Sequence, residues 1–68
     1  MTEAPAPLRQ QAAIQYMMRR VDGFARGLGL DEAVTRQIVE KIAADLLDRS
    51  DEERLETARE CLLMAALA

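Results

Sequence analysis

The chain has no histidine and no tryptophan, and only one cysteine, one tyrosine and one phenylalanine. Without histidine, the usual general base at neutral pH is missing, and so is half of any Cys/His zinc site. With Cys61 as the only cysteine, no intramolecular disulfide can form. Cys61 sits in an apolar run without a histidine partner and reads as a small hydrophobe rather than a nucleophile. Gly27 and Gly29 form no phosphate-cradling loop, because the helix start that follows, Asp31-Glu32, repels an anion. The acids Asp48, Asp51, Glu52, Glu53 and Glu56 lack the alternating spacing and the glycine of a calcium loop. No apolar run approaches the ~20 residues that cross a bilayer, and residues 1–7 lack the basic and apolar regions of a secretory signal. The reading is therefore non-enzymatic, with no catalytic residue, cofactor, metal, small-molecule substrate or membrane expected. A cytoplasmic location is expected, in keeping with a free thiol.

What is present is helical pattern. Half of the 68 residues are apolar, and with so few aromatics the core must be built from aliphatic side chains and alanine. Pro5 and Pro7 suggest an extended tail over 1–7, followed by a single three-helix domain over 8–68. The first helix is expected over 8–26, with Ile14, Met17, Met18, Val21, Phe24 and Leu28 recurring at three and four. Glycines 27 and 29 end it, and Asp31 is the natural N-cap of a second helix over 32–48. There Val34, Ile38, Ile42 and Leu46 step by four, and Arg36 with Glu40 and Lys41 with Asp45 are spaced as ion pairs. Ser50-Asp51-Glu52-Glu53 has the form of a capping box, opening a third helix over 51–66. The predicted fold is an all-α, small three-helix bundle centred on Ile14, Val21, Phe24, Leu28, Val34, Ile38, Ile42, Leu46, Leu55 and Leu62.

The distribution of polarity then points to association. Residues 51–60 contain seven charged side chains and residues 61–68 contain none. A helix that is apolar all round is normally covered on all sides, and a domain of this length, hiding only about 60% of its unfolded surface, has little mass to cover it. With disulfides and Cys/His zinc excluded, homo-oligomerisation or unusually good helix packing remains as the way to complete the bundle, and a homo-oligomer is expected. The expected interface combines Met17 and Met18 with Cys61, Leu63, Met64 and Leu67, methionine supplying adaptable contacts. The role this implies is a small adaptor, regulator or accessory subunit that binds another protein or itself. Charge is polarised as well: residues 1–30 hold four arginines and two acids, whereas residues 31–68 hold five bases and ten acids, a net charge of -5.

One stretch supports an alternative. Residues 24–38 place Ala25 in a first helix, Gly29 four residues later in the turn and apolar positions around both, and so resemble a helix-turn-helix signature. That resemblance implies a DNA-binding transcriptional regulator, with Arg36, Gln37 and Lys41 of residues 24–41 as the contacts. The stretch departs from the signature at Thr35, where an apolar residue is expected, and at Asp31-Glu32, where phosphates would approach.

Overall fold

The computed structural model describes residues 5–68 and contains three helices: α1 Ala6–Gly27, α2 Glu32–Asp45 and α3 Asp51–Leu67. All three pack on one another, as predicted for a three-helix bundle. Residues 1–4 of the expected tail lie outside the described residues. The rest of that tail is mostly helix: Pro5 takes the N-cap position and Ala6 opens α1, two residues earlier than the pattern indicated. Pro7 fits the first turn because no intrahelical partner exists there for an N–H.

Each boundary has a local cause. At the end of α1 the Leu30 N–H donates to the Ala25 carbonyl at 3.0 Å and the Gly29 N–H to the Arg26 carbonyl at 3.0 Å. This is the Schellman pattern, and it needs the left-handed backbone that Gly29 supplies at φ 81°. The Asp31 carboxylate accepts from the Val34 N–H at 2.9 Å and caps α2. Ser50 Oγ accepts from the Glu53 N–H at 3.2 Å and donates to Glu53 Oε1 at 3.2 Å. The predicted capping box is thus half made, because the Glu53 carboxylate meets the Ser50 hydroxyl rather than its backbone N–H.

The end of α2 differs from the expectation. The helix stops at Asp45 rather than 48, and residues 46–48 form a turn with no glycine or proline in it. The cause lies on α3. Arg54, only 8% exposed, sends its guanidinium back across the turn. There Nη1 donates to the carbonyls of Leu46 at 3.2 Å, Leu47 at 3.1 Å and Arg49, while Nη2 meets Asp51 Oδ1. The last carbonyls of a helix have no partner within it, and a cation among them also favours the negative end of the dipole. A buried charge is tolerable when hydrogen-bonded and paired in this way.

The elements lie side by side, within overall extents of 43 × 17 × 15 Å. Shared clefts give the directions. Residues Met18, Asp22 and Arg26 meet Arg36 and Glu32, while Gln11 and Ile14 meet Arg36 and Glu40, so α1 and α2 are antiparallel. Ile38 and Ile42 meet Cys61 and Thr57, so α2 and α3 are antiparallel as well.

The core differs in detail from the sequence reading. Val21, Ile42, Leu55 and Leu62 are buried as expected, but Ile14, Phe24, Leu28, Val34, Ile38 and Leu46 are only partly buried. The centre is instead Ala13, Met17, Val21 and Ala25 of α1, Thr35, Val39, Ile42 and Ala43 of α2, and Leu55, Ala58 and Leu62 of α3. Four of these are alanines, and small side chains belong where helix axes approach closely. The larger residues then pack along the flanks of the seam. Thr35 can be central because its hydroxyl donates to the Asp31 carbonyl at 2.9 Å, leaving its methyl to pack.

Replacing Arg54 with methionine keeps the bulk and removes every one of these hydrogen bonds. A loss of about 2 to 3 kcal/mol is expected, the range for bonds to a charged group together with carbonyls left unpaired. Urea denaturation checks this, and Arg54→Lys should recover only part of it, because an ammonium lacks the planar fork.

Candidate functional site

Two of the partly buried residues displaced from the core, Ile38 and Leu46, line a groove between α2 and α3 together with buried Ile42. Ile38, Ile42 and Leu46, on one row of α2, form one wall. Thr57 and Cys61, one turn apart on α3, form the other. The space between measures about 260 Å³. The only polar atoms of Ile38, Ile42, Leu46, Thr57 and Cys61 beyond the backbone are a hydroxyl and a thiol. Charge stands at the rim, where Lys41 Nζ lies 3.5 Å from Asp45 Oδ2 and both side chains are well exposed.

Other clefts differ in chemistry. Between α1 and α3, Tyr16, Arg20, Glu52, Glu56 and Arg59 surround a polar cleft in which the Arg20 guanidinium stands 5.1 Å from the Tyr16 ring centroid. Between α1 and α2, Arg26 pairs with Asp22 at 3.2 Å and Arg36 with Glu32 at 3.6 Å. Both are wet and charged. Of these three clefts the α2–α3 groove is the apolar one and thus the stronger candidate for a binding partner.

The six residues expected to form one interface are dispersed. Met17 must be withdrawn from it: at 0% exposure it belongs to the core, on the row Ala13, Met17, Val21 and Ala25. Met18 is half-buried beside the polar α1–α2 cleft. Cys61 is half-buried in the groove wall. Met64, 72% exposed, follows Thr57 and Cys61 at i, i+4 and i+7 and extends that wall beyond the groove. Leu63 and Leu67, 42% and 85% exposed, fall on the outer row of α3 with Glu56 and Glu60. The groove itself was missed because Ile38 and Leu46 were assigned to the core. The signal was available: α2 carries two adjacent apolar rows, and one contact with α1 uses only one of them.

Arg36, Gln37 and Lys41 are all exposed on α2. Arg36 is paired with Glu32 rather than Glu40, and Lys41 with Asp45 as predicted. Thr35 is buried like the apolar residue for which it stands. Yet α1 and α2 run side by side along several turns, whereas the two helices of a helix-turn-helix cross steeply, at about 90–120°. The acids Glu53 and Asp51 serve Ser50, Arg49 and Arg54, in caps and ion pairs.

Burial separates the methionines energetically. Met17→Ala should cost about 2 to 5 kcal/mol, as large-to-small changes in a core do, and Met64→Ala less than about 0.5 kcal/mol, as at an open surface. Urea midpoints of the two variants measure the difference. Compared with protein-family models, with curated proteins and with solved structures, the chain matches none.

Proposed function

We propose that this protein is a non-enzymatic interaction module, a small adaptor, regulator or accessory subunit that binds through the α2–α3 groove and the apolar end of α3. The observation that carries this reading is Met64, 72% exposed, on the same row of α3 as Thr57 and Cys61 and so at the end of a groove whose walls are already apolar, with Leu67, 85% exposed, on the outer row beside it. An exposed apolar surface continuous with a groove is the ordinary form of a helix-binding site. Affinity comes from filling the groove with one or two aliphatic anchors, and the rim charges orient the partner.

Site-specific photocrosslinking tests this in the native cellular context. A photoreactive phenylalanine analogue at position 64 or 67 is expected to give a discrete adduct with another protein or a second copy. The same group at position 33, exposed on α2, should give none. Met64→Glu combined with the label at 67 should remove the adduct while leaving the helical far-UV signal intact, with a stability change under about 0.5 kcal/mol. Equal labelling from all three positions, or from none, would overturn the reading.

A further inference from the structure

We infer that the partner seated on the α2–α3 groove is a second copy of this chain, docked antiparallel along α2, an inference that rests on the proposed use of that groove. The chain is acidic, with a net charge of -3, so a second copy is repelled least where the surface is neutral. Glu40, Glu52 and Glu56 make no ion pair among the described residues, and they line other clefts. Glu40 borders a cleft between α1 and α2, and Glu52 and Glu56 border the one between α1 and α3. Glu60 stands on the outer row of α3. The α2–α3 groove, by contrast, is lined by one cation and one anion, Lys41 and Asp45, whose charges cancel.

That neutral rim is self-complementary. Ile38, Ile42 and Leu46 are spaced evenly about Ile42, so a two-fold axis at Ile42 sets Ile38 against the partner's Leu46 and Leu46 against the partner's Ile38. Lys41 and Asp45 have their midpoint one residue from Ile42. The same axis therefore brings Lys41 level with the partner's Asp45 to within about 3 Å along the helix, at a rise of about 1.5 Å per residue. Both side chains are well exposed, 79% and 61%, and can exchange the ion pair within α2 for two between copies. One symmetry operation thus aligns the apolar row and the charges together. A helix carrying charge of a single sign would instead meet one of the two rim charges with repulsion.

The test is sedimentation equilibrium of the full chain and of charge-reversed variants at positions 41 and 45, both exposed, with the helical far-UV signal as the check on folding. The unaltered protein should form a dimer in a concentration-dependent manner. Lys41→Asp, which leaves two acids on each copy at the contact, should weaken that dimer by at least about tenfold. Asp45→Lys, which leaves two lysines, should do the same. Mixed together, the two single variants should form a heterodimer tighter than either homodimer. Both reversals in one chain restore the self-complementary pattern, and its dimer should return to within about threefold of the unaltered one. A monomer at every concentration would overturn the inference, as would a dimer indifferent to the single reversals or a double reversal as weak as either single. A monomer that still gives a photocrosslink from position 64 to another protein would overturn it while leaving the proposed function standing. A monomer without that adduct would remove the function as well.

Discussion

The structure turns on the guanidinium of Arg54. The chain has no glycine or proline between α2 and α3, so nothing in the local backbone preference stops α2 at Asp45. Arg54 does so by gathering the carbonyls of Leu46, Leu47 and Arg49 around one buried cation. A C-terminal glycine cap satisfies carbonyls by reversing the backbone; here a side chain four residues into the next helix does it across space. Termination and pairing are thereby fixed by the same contact. With Arg54 docked on the turn that follows α2, Thr57 and Cys61 of α3 lie across a groove from Ile38, Ile42 and Leu46 of α2.

The groove itself follows from how the core is filled. Ala13, Ala25, Ala43 and Ala58 are all buried, so the helices meet on small side chains. Phe24, Ile38 and Leu46 lie at the margins of the seam, half-buried. Alanine contributes little burial energy, at ~25 cal/mol per Å² of apolar area. Stability then depends on the few large central residues, Met17, Val21, Val39 and Leu62. A domain arranged this way keeps apolar surface at its flanks, and a groove between α2 and α3 is one result.

This explains what was legible in the sequence. Helix number, the Asp31 and Ser50 caps and the Gly29 turn rest on chemistry confined to a few neighbouring residues, and each is present. Hydrophobic periodicity shows the arc of a helix that avoids water, but not which part of the arc faces a neighbour. Choosing the largest residues as the centre moved the α2 stripe by one position, from Val34 and Ile38 to Thr35 and Val39. Arg54 is one of seven charged residues in 51–60, and the carbonyls it binds, in the turn after α2, are not marked by any local pattern. Arg36 had a carboxylate four residues away on either side, and the pair formed with Glu32 has the acid toward the N-terminus, the stronger orientation. The candidate site was half legible: Cys61 and Met64 were named, whereas the groove beside them required the register set by Arg54.

The acidic excess of α3 is tied to its folding as well as to its surroundings. Asp51, Glu52 and Glu53 occupy the first turn, where negative charge favours the positive end of the helix dipole. Asp51 also answers Arg54, and Glu53 answers Ser50 and Arg49. These acids cannot be exchanged for bases without weakening the start of the helix that carries half of the groove. Capping, dipole and ion pairing therefore draw on the same few residues. The charge at the start of α3 is thus constrained by the closure of the α2–α3 hairpin, where Asp51 and Arg54 meet the turn.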